Sequence, residues 1–136
     1  MNKPRLIDLT RIYDHRGNLS VVEQLKDVPF EIKRVYWVYD VPGGEGRGGH
    51  SHKEQSEFIV AANGSFEVVV DDGETKKSFF LNHPYKGLLL PPGLWRTLED
   101  FSSGAVCLVL ASDFFDEEDY IRDYMEFTKS CNHGRE

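Results

Sequence analysis

His50 and His52 stand two residues apart, and Glu57 follows five residues later. In an extended strand residues i and i+2 point to the same face, so the two imidazoles enter one interior together. Imidazole is the side chain whose ordinary pKa lies closest to neutral pH, so such a pair can take a proton from one atom and deliver one to another. Glu57, expected on the partner strand, is suited to holding a histidine tautomer or pairing with an arginine. Asn63-Gly64 then offers a tight hairpin turn with positive φ. Tyr36 and Arg96 add a phenol and a permanent cation, the donor types that meet charge developing on oxygen.

These groups need a scaffold of short strands. Apolar or alternating runs occur at residues 5–9, 19–23, 32–39, 56–61, 65–70, 75–81, 87–90 and 105–111. Turn signals separate them at Asp14-His15-Arg16-Gly17-Asn18, Pro42-Gly43-Gly44, Asn63-Gly64, Asp71-Asp72-Gly73 and Pro91-Pro92-Gly93. Regular punctuation of this kind predicts an all-β sandwich or barrel. The acidic stretch 113–127 is the one segment read as helical or irregular, its aromatics spaced to pack outside the barrel or on a second subunit. No repeat or linker interrupts the chain, so residues 1–136 are expected to form a single domain.

Composition narrows the function classes. With 136 residues, 40% of them hydrophobic, the chain has material for one core. A net charge of −7 argues against nucleic acid and anionic membrane surfaces as partners. Any bound anion must therefore meet a local cationic patch. Cys107, inside an apolar run, reads as a buried core thiol, and Cys131 lies in a polar tail. No apolar leader or long hydrophobic run is present, and a cytoplasmic location is expected.

The spacing Gly-x5-His-x-His-x4-Glu-x6-Gly over residues 44–64 resembles the first signature of the cupin superfamily. The second cupin signature continues Pro-x-Gly-x2-His and supplies a further metal ligand. Here the chain reads Pro91-Pro92-Gly93-Leu94-Trp95-Arg96, with an arginine in the place of the histidine, and an arginine has no lone pair to give a metal. Three stretches bring the resemblance closer: Lys33-Arg34-Val35-Tyr36-Trp37-Val38-Tyr39, Arg47-Gly48-Gly49-His50-Ser51-His52-Lys53, and Leu110-Ala111-Ser112-Asp113 with Asp119-Tyr120-Ile121-Arg122-Asp123-Tyr124. They resemble the WxcM-like sugar 3,4-ketoisomerases that act on dTDP-linked 4-keto-6-deoxyhexoses. The resemblance implies an all-β cupin jelly roll, a double-stranded β-helix with a short C-terminal tail. It also implies no metal, no cofactor, and a homodimer, in which strands near the N-terminus are the candidates for exchange. Ser51, between two inward histidines, is expected to face outward.

Moving a ketone from C4 to C3 requires loss of the C3 proton, passage through an enediol, transfer of a proton from O3 to O4, and protonation of C4. His50, His52 and Tyr36 are the candidate catalytic residues. Arg16, Arg47 and Arg96 are the candidate partners of a diphosphate, which arginine matches bidentately. Trp37 and Trp95 offer faces for a thymine, and Glu57 completes the candidate substrate site. Arg16 and Arg96 are also the residues expected to shape whether C4 becomes gluco or galacto, since only the galacto outcome can be served by one base on one ring face. Three other readings stay open: a metal-dependent cupin oxygenase using His50, His52 and Glu57, a small-molecule-binding cupin without activity, and a 3,5-epimerase on the same fold.

Overall fold

The computed structural model describes residues 3–133. Its strands are β1 (Arg5–Asp8), β2 (Arg11–Ile12), β3 (Leu19–Ser20), β4 (Arg34–Val38), β5 (Arg47–His52), β6 (Glu57–Asn63), β7 (Phe66–Asp71), β8 (Lys76–Leu81), β9 (Lys86–Leu90), β10 (Trp95–Glu99), β11 (Val106–Ala111) and β12 (Tyr120–Ile121). A 3-10 turn at Glu117–Asp119 precedes β12, and helix α1 (Tyr124–His133) follows it. One sheet has the order β1-β9-β6-β11-β4 and the other β12-β5-β10-β7-β8. Every pairing within them is antiparallel. This is the all-β sandwich that the strand pattern predicted, in the jelly-roll form that the resemblance implied.

Alternation along β6 and β11 explains why both read as unbroken apolar runs. Ile59, Ala61, Cys107 and Val109 point between the sheets and join Phe66, Val68, Val70, Leu88 and Leu98 in the main core. Their neighbours Phe58, Val60 and Leu110 point the other way, into a second cluster with Leu9, Val28 and Phe30. The segment after β3 thus covers one sheet's outer face, and both faces of β6 and β11 are dry. Gly87 is fixed by this packing, because a Cβ there would lie 2.2 Å from the Phe58 ring.

Several expected details are corrected. Asn63-Gly64 does not form a hairpin: β6 belongs to one sheet and β7 to the other, so this turn crosses between them. Only Gly64 takes a positive φ there (68°). Asp72-Gly73 does lie in the loop of a paired hairpin, β7 with β8. Glu57 therefore stands on the sheet facing the histidines, and the strands paired with β5 are β10 and β12. β10 itself gave no apolar run, because a buried arginine occupies one of its inward positions. The 19–23 run keeps only two residues as strand, its later part serving as cover.

The acidic stretch 113–127 divides into a loop, the 3-10 turn, β12 and the start of α1, with Asp123 receiving the Met125 N–H as helix cap. The helix continues beyond that stretch and includes Cys131. Phe127 seats fully buried against Trp95. Ser51 does face away from the interior, yet it is buried rather than exposed, because α1 lies against β5. Among the described residues no helix is long and apolar enough to cross a membrane.

Candidate active site

At one end of the sandwich β4 and β6 from one sheet meet β5 and β10 from the other. Strand parity alone would place Arg47 on the face opposite His50 and His52. A register shift between β5 and β10 changes this: Arg96 pairs with His50, while Leu98 pairs with Arg47. Two steps on β10 thus match three on β5, a bulge with Gly48 at φ 76°. The extra residue turns Arg47 to the face of Leu98, which points inward. Gly48 is required twice over, since a Cβ would strain the backbone and come within 2.7 Å of Arg96 Nη1.

Arg96 and Glu57 link the two sheets. The guanidinium donates through Nε to Glu57 Oε1 at 3.1 Å and through Nη2 to Oε2 at 3.3 Å. Tyr36 donates its hydroxyl proton to Glu57 Oε2 at 2.6 Å and accepts from Arg96 Nη2 at 2.9 Å. Arg96 is 2% exposed and Glu57 1%. Burial, the largest single influence, pushes the Glu57 carboxyl up, but Arg96, the two imidazoles and the Tyr36 hydrogen bond together outweigh it and hold the group below its ordinary value. Arg96 is held charged, since burial, the largest single influence on it, is more than offset by Glu57 and Tyr36 together with the smaller contribution of Cys107. Burial raises the Tyr36 phenol well above its usual range, so it stays protonated.

Beside this pair the imidazoles meet edge to face, with His50 Nε2 3.1 Å from His52 Nε2. His52 Nδ1 lies 3.0 Å from Asp119 Oδ2. Gln55 Nε2 reaches both His52 Nε2 and Glu57 Oε2, each at 3.3 Å. Burial and then the Arg96 charge press His50 down to about 3, against partial support from Glu57. His52 is lowered too, chiefly by burial, with Glu57 and Asp119 opposing. Both rings are neutral at physiological pH, the form that accepts a proton.

His50, His52 and Glu57 each place a donor atom within 4.8 Å of the others, the arrangement of a two-histidine, one-carboxylate metal site. The chemistry of the set opposes that use. Glu57 already accepts hydrogen bonds from Arg96 and Tyr36 on its two oxygens, the two Nε2 atoms face one another, and a buried cation sits where a further ligand would stand. A divalent ion would have to displace this network against the Arg96 charge. These residues do not fit a resident metal.

A cavity of about 300 Å³ opens in front of the pair, lined by Tyr36, His50, Arg96 and the bulge residues Arg47, Gly48 and Gly49. Arg34, Phe115, Tyr120 and Arg122 also line it, and sequence reasoning assigned none of these a role. Arg34 donates to Gln55 Oε1 and the Tyr120 hydroxyl, and its Nε is buried without a partner among the described residues. Asp119 and Gln55 were missed as well, although Asp119 and Arg122 fall within the Asp119 to Tyr124 motif. His52 stands behind His50 and does not line the cavity.

Three candidates lie elsewhere. Trp37 neighbours Tyr36 on β4, so it points outward and is 57% exposed. Trp95 neighbours Arg96 on β10 and packs outside the sandwich against Tyr124 and Phe127. Arg16 sits in an exposed turn with its guanidinium on Asp14, and does not line the cavity of its own chain. Arg96 lines the cavity floor, but its bonds to Glu57 and Tyr36 leave it poorly placed to take a diphosphate.

Residues 2–132 match the family described as "FdtA: WxcM-like, C-terminal". The chain is 45% identical over 125 residues to a TDP-4-oxo-6-deoxy-alpha-D-glucose-3,4-oxoisomerase of Aneurinibacillus thermoaerophilus, covering 92% of this chain and 90% of that protein. Its structure is similar to a 3,4-ketoisomerase from Helicobacter canadensis, with TM-score 0.94 and 43% identity over 97% of this chain and 99% of the other. It is also similar, at TM-score 0.94 and 38% identity over 96% and 94% of the two chains, to a histidine-to-asparagine variant of the 3,4-ketoisomerase QdtA from Thermoanaerobacterium thermosaccharolyticum. That variant was solved in complex with TDP-4-keto-6-deoxyglucose.

The depressed histidines make stability depend on pH with a definite sign. An unfolded histidine protonates near 6.5, whereas folded His50 resists protonation down to about 3. As pH falls through that window the unfolded chain binds protons that the folded chain refuses, so stability present above about pH 6.5 is lost. Glu57, held below its ordinary value, acts in the same direction at lower pH. Urea titrations are expected to show a level midpoint from about pH 8 to pH 7 and a falling one from about pH 6.5 to pH 4.5. A midpoint that holds or rises on acidification contradicts the neutral buried pair.

Proposed function

The chain belongs to the WxcM-like family of sugar-nucleotide 3,4-ketoisomerases, and on that premise we propose that it converts TDP-4-keto-6-deoxyglucose into a TDP-3-keto-6-deoxyhexose. The protein is an isomerase that works by histidine acid–base chemistry. The observation that carries the reading is a neutral imidazole, His50, at a cavity whose floor is closed by the buried Arg96–Glu57 pair.

In this reading His50 removes the C3 proton. The C3–H electron pair forms the C3–C4 double bond and the former carbonyl becomes the oxygen of an enediolate. A proton passes from O3 to O4, and His50 or a second donor protonates C4. Tyr36 faces the cavity with Arg96 behind its oxygen, and its hydroxyl proton can leave Glu57 for a developing oxygen charge. His52 supports His50 from behind.

The diphosphate belongs with Arg47, whose guanidinium the bulge brings to the cavity, and with Arg34, which lines the same cavity; Arg122 lines it too, with its guanidinium on Glu117. An anion at Arg34 would satisfy the buried Nε that now has no partner among the described residues. The exposed ring of Phe115 at the same mouth offers a face for the thymine. Such a substrate is a cytoplasmic metabolite, which fits the absence of a membrane-spanning helix among the described residues.

The working form in this proposal is a homodimer. Val35, Trp37 and Tyr39 leave an apolar strip exposed along the edge strand β4, and Ile12 and Leu19 are exposed too. Edge strands with apolar side chains are covered in stable proteins. β1 pairs with β9 within its own chain, and an exchanged N-terminal strand would make that same ladder to the partner.

Incubation with TDP-4-keto-6-deoxyglucose followed by NMR is expected to show a 3-keto product. His50→Asn is expected to lower turnover about 10²–10⁴-fold while TDP still binds. An unaltered substrate, or wild-type turnover by the variant, removes the reading. For the assembly, sedimentation at micromolar concentration is expected to give a dimer, and Trp37→Glu to weaken it. An active parent monomer contradicts that part.

A further inference from the structure

We propose that Asp119 is the positioning residue of this site: it fixes the direction of a hydrogen-bond chain, Asp119–His52–His50, and so decides which imidazole nitrogen is free to act as base. The inference rests on the ketoisomerase reading for its catalytic consequence, but its structural core does not.

Asp119 is unusually well held for a residue in a loop-derived segment. Its Oδ1 accepts the Glu54 N–H at 2.7 Å and its Oδ2 accepts the Gln55 N–H at 3.3 Å. Its own carbonyl accepts the Lys53 N–H at 2.9 Å, and the next residue begins β12, which pairs with β5 at His52. The carboxylate is thereby locked against the end of the strand that carries both histidines.

An ionised carboxylate only accepts hydrogen bonds, so His52 must carry its proton on Nδ1, 3.0 Å from Asp119 Oδ2. His52 Nε2 is then a lone pair, and it receives the Gln55 amide at 3.3 Å. It also faces His50 Nε2 at 3.1 Å, and the only bond that contact allows is one in which His50 donates. His50 therefore bears its proton on Nε2 and keeps the lone pair on Nδ1. Since His50 lines the cavity and His52 does not, the chain delivers one base to the substrate and buries the other.

The same chain answers an electrostatic difficulty. His50 lies near Arg96, and burial opposes its protonation, so an isolated ring there would hold a proton poorly. During turnover the C3–H bond breaks, its electron pair enters the C3–C4 double bond, and the proton forms an N–H bond at His50 Nδ1. The imidazolium that results already donates through Nε2 to His52, whose other nitrogen donates to the Asp119 carboxylate. Negative charge thus supports the cation through one intervening ring, and is withdrawn from nothing the substrate needs. The proton is later returned to C4, and no outside oxidant or reductant takes part.

Asp119→Asn tests this, because the substituted amide is nearly the same shape. Its oxygen keeps the shorter bond from Glu54 N–H, at 2.7 Å, and gives up the longer one from Gln55 N–H, at 3.3 Å, which turns the amide nitrogen toward His52 Nδ1. His52 must then move its proton to Nε2 and donate to His50, whose own proton shifts to Nδ1 and blocks the base. Nitrogen-15 NMR of the imidazoles in the ligand-free protein is expected to show His52 as Nδ1–H and His50 as Nε2–H in the parent, and both reversed in the variant. Turnover is expected to fall about 10²–10³-fold, with TDP affinity by calorimetry within about twofold of the parent. The proposal is overturned if the parent shows His52 protonated on Nε2, if the tautomers do not change in the variant, or if turnover stays within threefold. It is equally overturned if TDP affinity falls in step with turnover, which marks Asp119 as a structural tie between β12 and β5. A parent that shows the expected tautomers but no isomerisation leaves Asp119's placement standing and removes the ketoisomerase reading instead.

Discussion

The buried pair between Arg96 and Glu57 is the interaction on which the rest of the site depends. Each group comes from a different sheet, and both are almost wholly removed from water. Taking two charges out of water is costly, and an apolar pair of similar size would often serve stability as well or better. Deleting one partner alone is different, since a lone buried charge costs about 3–5 kcal/mol. The pair is therefore best understood through what it imposes on its neighbours. It fixes the orientation of Tyr36, it uses up the carboxylate that a metal would need, and it sets a cation beside His50. A superfamily layout of two histidines and a glutamate is thereby turned from metal binding toward proton transfer.

Two local devices bring further side chains of the chain to that pair. The Gly48 bulge reverses strand parity so that Arg47 joins the interior face of β5. The C-terminal segment closes over the same strand, supplying Asp119, Tyr120 and Arg122 within four residues, before α1 anchors it through Phe127. The close approach of the bulge to Arg96 leaves no room for a side chain at Gly48. A rigid β-sandwich end thus holds the reacting groups, while loops and the tail carry the polar contacts at the mouth, a division common among enzymes.

Much of this was legible in the residues. The His50, His52 and Glu57 spacing anticipated the cluster that the two sheets assemble, and Arg96 stands beside it in the place of an expected ligand. The all-β sandwich followed from short alternating runs and turn residues, and its jelly-roll form from the resemblance to the cupin family. What escaped was long-range or parity-breaking. Asp119 lies 67 residues from His52, and no local pattern joins them. β10 was missed because its functional arginine interrupts the apolar alternation. Trp37 and Trp95 were chosen for their chemistry, yet each is the immediate neighbour of an inward residue, Tyr36 and Arg96, and strand alternation sends it outward. Parity misleads for Arg47, where the bulge intervenes, and guides correctly for the two tryptophans. Asn63-Gly64 has the composition of a hairpin turn, but the jelly-roll topology uses it to pass between sheets.

The central claim is that the Arg96–Glu57 pair makes this a site of imidazole chemistry with no metal in it. The most direct measurement is turnover of TDP-4-keto-6-deoxyglucose by protein exhaustively treated with a chelator, with metal content determined on the same sample. The account predicts unchanged turnover and no stoichiometric transition metal. Loss of turnover on chelation, restored by iron, manganese or zinc, would contradict it.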